Sequence, residues 1–251
     1  MKSRATQTKE LDMVNGPLAR KILIYSIPLM FSNLLQVFFN MTDVAVVGKF
    51  AGARALGSVG STTIIITLTT GILLGMGGGV NAVTALHMGA EDYQRVHKTV
   101  HTSVILCFIA GLLLLVTGLA FSKPLLEVMN TKPELIDGAT AYLMIYLCGS
   151  PALALYNFGN GVLSAVGDTK RPLIYLSISG IINIVLNLFF VIVCRLGVIG
   201  VAIASIIAQY ISAALIIRFL LKTYGSYGLR MKDIGICLLY TSDAADDRIS
   251  V

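Results

Sequence analysis

The sequence predicts an all-α polytopic integral membrane protein with six transmembrane helices, and three observations predict it. Hydrophobic residues make up 56% of the 251-residue chain and charged residues only 13%, about half the ~25% of a typical soluble domain. Mean hydropathy is +0.82. Apolar runs of roughly 20 residues recur between short polar loops, each about long enough to cross a ~30 Å hydrocarbon core.

The first span covers about residues 21–47. Pro28 removes a backbone donor and crowds the preceding turn, so a bend is expected there. Within this span Asn33, Gln36, Asn40 and Asp43 follow one another at spacings of three, four and three. That places them on one narrow helix face. Ionisable residues inside a membrane helix usually face a bundle interior or an aqueous cavity. A polar stripe ending in a carboxylate is therefore a candidate ion or proton pathway, and the competing reading makes Asp43 a cap at the headgroup boundary.

The second span, 56–85, is Thr-rich and then Gly-rich. Gly71, Gly75 and Gly79 stand at four-residue spacing, which predicts close helix approach along that stripe. The third span is 99–121. The fourth, 135–155, carries Tyr142 and Tyr146 one turn apart before the Gly149-Ser150-Pro151 break. The two tyrosines could stack on an aromatic or cationic ligand but read as anchors at a membrane interface, with Tyr146 also a candidate for lining a cavity. The fifth span, 173–193, repeats Ser179, Asn183 and Asn187 at four-residue intervals. That face suits cavity lining and cation coordination, or simple hydrogen bonding between helices. The sixth span, 198–221, carries a lesser stripe of Ser205, Gln209 and Ser212, read as packing.

With a cytosolic N-terminus, thirteen Lys and Arg fall on the inner side and five on the outer, Arg248 left aside. The positive-inside rule then places both ends in the cytosol, as six spans require. The loops between spans carry tight-turn chemistry. In SAVGDTKRP (164–172), Gly167 suits a left-handed cap. Asp168 or Thr169 can cap the following helix, with Pro172 in its first turn. Gly89, Glu91 and Asp92 punctuate the end of the second span in the same way.

Several function classes are disfavoured. The basic residues sit in loops between apolar runs, so the net charge of +6 gives no nucleic-acid surface. Cys107, Cys148, Cys194 and Cys237 are widely spaced and form no disulfide, zinc or redox pattern. His97 and His101 have the i, i+4 spacing of a zinc site but no third ligand nearby in sequence. They read as a solvated helix start, and no metal site is expected. The run GMGGGV (75–80) completes no dinucleotide fingerprint, and no Walker motif appears. No nucleophile–base pair marks an enzyme. The N-terminal segment, 1–20, lacks the features of a cleaved signal and reads as a cytosolic lead-in.

Three stretches together resemble the multidrug and toxic compound extrusion (MATE) transporters: FFNMTDVAVVG (38–48), NGVLSAVGDTKRPL (160–173), and the pair NIVLNLFFVI (183–192) and GVIGVAIAS (197–205). The resemblance covers about residues 19–234. It implies the N-terminal six-helix lobe of a two-lobe transporter that alternates access to a central cavity and exports drugs and other organic, often cationic, compounds across the plasma membrane. Exchange for sodium ions or protons is implied, with no other cofactor. Asp43 matches the first-helix carboxylate of several branches. Asn183 and Asn187 match a fifth-helix motif whose second position is Asp in some branches. Here it is an amide, which can ligate a cation but takes up no proton at neutral pH. Cation or proton occupancy at Asp43, Asn183 and Asn187 would then bias the bend near Pro28, while Asn33, Gln36, Asn40, Ser179 and Tyr146 line the cavity.

The chain is short for two lobes. We read 21–222 as the six-helix lobe, 223–235 as the start of a cytosolic linker, and 236–251, ICLLYTSDAADDRISV, as a non-native tail, with a genuine short polar tail as the alternative. A C-terminal six-helix lobe is expected in the full-length chain as its partner, with membrane lipid around both. The alternatives are a lipid-linked oligosaccharide flippase of the same wider superfamily and a non-transporting fragment. A flippase would be expected to show a strongly basic cavity, and the predicted spans contain almost no Lys or Arg.

Overall fold

The computed structural model describes residues 18–234. Seven α-helices follow one another: α1 (Leu18–Val46), α2 (Ala53–Gly89), α3 (Tyr93–Val128), α4 (Pro133–Leu147), α5 (Ser150–Ala165), α6 (Lys170–Leu188) and α7 (Gly197–Lys222). α1 and α6 each run on into a π-helical turn, Val47–Ala51 and Phe189–Val193. The expected cytosolic lead-in and the non-native tail fall almost wholly outside the described residues.

Among the described residues, five helices are long and apolar enough to cross a membrane. α4 and α5, bent by 45°, make a sixth span if they are counted as one. The bend sits at the Gly149-Ser150-Pro151 break. The helix after it continues to Ala165, ten residues past the end expected from hydropathy, because α5 is buried almost all round and keeps helical geometry through its polar positions. α2 and α3 have 37 and 36 residues. At 1.5 Å per residue each is about 55 Å long, so both overrun a ~30 Å core.

α5 is the hub, packing against α2, α3 and α7, while α1 packs mainly on α6. The main core gathers Leu73 from α2, Val96 and Val100 from α3, Tyr156, Phe158 and Val162 from α5, and Ile216 and Leu220 from α7. The outward faces are apolar as well. Met30, Ile64, Leu68, Leu113, Val116 and Ile181 are all more than half exposed, as lipid-facing side chains should be.

Glycine sets the close approaches, though not on the expected stripe. A Cβ at Gly71, Gly75 or Gly79 would meet nothing within 4 Å. The tight crossing is one face further round, where a Cβ on Gly77 would lie 2.7 Å from the Asn157 carbonyl oxygen, and one on Gly161 would strike the backbone of Gly77. On α3, a Cβ at Gly111 would lie 2.7 Å from Pro151 Cα, so α3 presses against the α4–α5 break. Ser150 Oγ donates to the Gly111 carbonyl there at 3.1 Å, and Tyr210 of α7 donates to the Cys148 carbonyl at 3.2 Å.

The turns follow the sequence chemistry. Gly167 adopts φ 84°, the left-handed region that glycine occupies without strain. Asp168 accepts from the Arg171 amide at 3.3 Å at the start of α6, while Thr169 makes no capping bond. Asp92 caps α3 by accepting from the Arg95 amide at 3.0 Å. After α7 the chain folds back: the Leu229 amide donates to the Leu220 carbonyl at 3.0 Å, and the Leu229 side chain joins the main core.

Candidate functional site

Asp43 is buried, at 6% exposure, on the face of α1 that meets α6 and α7. Close contact between α1 and α6 brings it there, because Gly180 of α6 has no side chain where the Phe39 ring sits. Both carboxylate oxygens are engaged. Oδ1 accepts from Asn187 Nδ2, and Oδ2 accepts from Ser205 Oγ at 2.9 Å. Asn187 Nδ2 also reaches Asn183 Oδ1 at 3.2 Å, and Asn183 Nδ2 donates to Ser205 Oγ at 3.3 Å.

The four side chains close a hydrogen-bonded ring that ties three helices together. Its local basis is simple. Asn183 and Asn187 are one turn apart on α6 and share a face, and Ser205 is the residue of α7 that points at them. A carboxylate withdrawn from water is costly unless hydrogen-bonded, and each bond to a charged group contributes about 1.5–3 kcal/mol. Asn187 Oδ1 is the exception within the ring, buried without a hydrogen-bond partner.

The ring opens onto a cavity of about 100 Å³. Gln36, Asn40, Ser179 and Tyr146 line it together with Asp43 and Asn183. Ser179 spends its hydroxyl on the Leu176 carbonyl of its own helix, at 3.0 Å. Asn33 lies on α1, but its side chain is outside the described residues. Tyr142 and Tyr146 are not interfacial anchors: both are buried, with their rings stacked at 6.2 Å. Core packing outcompetes the interface here because α4 is held between α2, α3 and α7.

Two residues read from sequence as packing belong to the site. Ser205 completes the ring, and Gln209 lines the cavity with its Oε1 buried and unpartnered. The signal was present as a polar face on α7, but only the position of α1 shows what that face meets. Among the described residues, Asp43 is the one carboxylate in the cavity lining, and the lining holds neither Lys nor Arg.

The histidine pair also departs from expectation. His101 is 2% exposed rather than solvated. Its Nδ1 is 2.8 Å from the His97 carbonyl oxygen, and its Nε2 accepts from the Arg230 amide at 2.9 Å. The refolded segment after α7 covers this part of α3.

The family model described as MatE matches residues 28–189. The chain is 29% identical over 204 residues to the probable multidrug resistance protein YpnP of Bacillus subtilis, covering 81% of this chain and 46% of the relative. It is 24% identical over 207 residues to an FAD transporter of Shewanella oneidensis, covering 81% of this chain and 46% of that protein. Among solved structures it superposes on a MATE protein in a bent conformation with a TM-score of 0.87 and 26% identity, over 94% of this chain and 53% of that one. The chain thus spans about half the length of the relatives it matches. With its all-helical architecture, multiple apolar spans and a family match running from Pro28 to Phe189, this multi-pass membrane chain belongs to the MATE family of transporters.

Proposed function

We propose that this chain forms one lobe of a cation-coupled exporter of drugs and other organic, often cationic, compounds, and that the ring around Asp43 holds the coupling sodium ion or proton. One observation carries the reading. A buried carboxylate is shared between three helices beside a cavity of about 100 Å³, far below the ~300–1,000 Å³ of a drug-sized pocket. The volume suits an ion with a little water. A drug requires the larger space that a second lobe would enclose.

The ring supplies what exchange needs. As arranged, Asn187 and Ser205 donate to the carboxylate and stabilise its charge. Rotating the Asn187 amide exchanges Nδ2 for the unpartnered Oδ1 and turns the same residue into a ligand for a hard cation, which prefers oxygen. Asn183 Oδ1 and Ser205 Oγ lie in the same ring. A proton needs only Asp43. In either case occupancy replaces bonds that join α1 to α6 and α7, so it changes the relative energies of two arrangements of these helices. Antiport follows when substrate favours the other arrangement. Pro28, within α1, is the place where a change in bend can be absorbed.

The cargo is less specified by likeness, because one relative is named for FAD and another for multidrug resistance. The acidic lining without Lys or Arg favours cationic compounds over phosphate-bearing lipids. The charge distribution of the loops supports cytosolic ends.

The test is Asp43→Asn in the full-length transporter, with Asp43→Glu alongside. Export of a cationic dye should lose its dependence on sodium or proton gradient and fall at least about tenfold, as removal of about 1.4 kcal/mol of differential binding requires. Undiminished, ion-dependent export by Asp43→Asn would refute the proposal.

A further inference from the structure

We propose that His97, His101 and Asp233 form a binding site for a divalent transition-metal ion of the zinc class, which fastens the chain leaving α7 to the start of α3. The sequence offers only two histidines, and the structure supplies the third ligand from 132 positions further on. Fold-back of the segment after α7 brings Asp233 to the pair, so that one ligand atom from each residue lies within 4.8 Å of the others. Asp233 Oδ2 is 3.4 Å from His97 Nε2, long for a hydrogen bond. That nitrogen is buried without a well-formed hydrogen bond.

The chemistry of the set fits such an ion. Two imidazoles and a carboxylate are ligands that zinc accepts, with water in the fourth position. His97 and His101 stand one turn apart with rings stacked at 4.0 Å, so both present their edges on the same side of α3. His101 Nδ1, 2.8 Å from the His97 carbonyl oxygen, donates its proton there and leaves a lone pair on Nε2. Metal-binding histidines are commonly fixed in this way by a bond from the other ring nitrogen. The Arg230 amide takes that lone pair at 2.9 Å, and a metal ion replaces this donor.

The site needs two adjustments: the Arg230 amide withdraws from His101 Nε2, where it sits at 2.9 Å, and the ligand atoms draw together. Bonds of about 2.0–2.2 Å at tetrahedral angles set ligand atoms roughly 3.3–3.6 Å apart, so the widest pair closes by a little over an ångström. The Asp233 side chain is 41% exposed, so its carboxylate can turn and open a way in to the buried His97 Nε2. Lys98, Arg230 and Lys232 flank the site in sequence, and like charge near the ion weakens its binding.

The test is titration of zinc chloride and cobalt chloride into the detergent-purified full chain, prepared without a histidine tag. Calorimetry should give one zinc ion per chain, and cobalt should give the visible absorption of a four-coordinate site. His97→Gln and Asp233→Asn, both at partly exposed positions, should each weaken binding at least about tenfold, and Asp233→Glu should restore much of it. Zinc should raise the melting temperature of the parent chain but not of the double variant that combines His97→Gln with Asp233→Asn. Absence of saturable uptake, or equal uptake by the parent chain and the double variant, would overturn the proposal.

Discussion

Replacing Gly77 with alanine, and Gly71 with alanine as its counterpart, separates the glycines that carry packing from those that do not. Both lie within α2, and each substitution gains about the same helix propensity, ~0.8–1 kcal/mol. That gain cancels in the comparison. What remains is the fate of the added methyl. At Gly71 it meets nothing within 4 Å, whereas at Gly77 it lies 2.7 Å from the Asn157 carbonyl oxygen and 3.1 Å from the carbonyl carbon. These are backbone atoms of the buried hub helix, so no side chain can rotate away and the helices must part. Overpacking of this kind costs about 1–3 kcal/mol. For a chain of this size, 1 kcal/mol moves the melting temperature by roughly 2–4 °C, so the two variants should differ by about 2–12 °C, with Gly77→Ala the lower. The chain has no tryptophan, so melting is best followed by helical circular dichroism in detergent. Equal melting temperatures, or a lower one for Gly71→Ala, would refute the assigned α2–α5 crossing.

Other expectations follow from the same contacts. Ser205→Ala removes the donor to Asp43 Oδ2 and the acceptor for Asn183 Nδ2. With about 1.5–3 kcal/mol per bond to a charged group, the ion concentration for half-maximal export in the full-length protein should shift tenfold or more at unchanged expression. Tyr210→Phe deletes the hydroxyl that meets the Cys148 carbonyl at the α4–α5 break. It should cost about 0.5–1.5 kcal/mol, read as a lower melting temperature. If both termini are cytosolic, Cys194, which is exposed, should react with a membrane-impermeant maleimide in intact cells. Buried Cys107 should react only after denaturation, and protection of Cys194 would reverse the orientation.

Much of this architecture is legible from local signals. Span existence follows from hydropathy, and the turns at Gly167, Asp168 and Asp92 follow from backbone requirements carried by single residues. The polar faces of α1 and α6 are likewise visible as periodicity. Their meeting is not, because ring closure depends on Ser205, whose one-turn companion Gln209 gives α7 the look of ordinary interhelical packing. The glycine stripe misleads for a related reason: spacing shows that Gly71, Gly75 and Gly79 share a face, but not which neighbour that face receives. Asp233 is harder still, since its approach to His97 depends on a fold-back stabilised by Leu229 entering the core.

The π-helical turns at the ends of α1 and α6 give this arrangement a mechanical property. Val47–Ala51 begins four residues after Asp43, Phe189–Val193 begins two after Asn187, and the two turns touch. A π turn holds one residue more than an α-helical turn would over the same rise. A helix end of this kind can change register by a residue, exchanging one set of backbone bonds for another without melting. The two helices that supply the carboxylate and its amide partner therefore share a slack joint on the same side of the ring. The helix ends beyond the ring can twist there while the spacing of Asp43, Asn183 and Asn187 stays fixed.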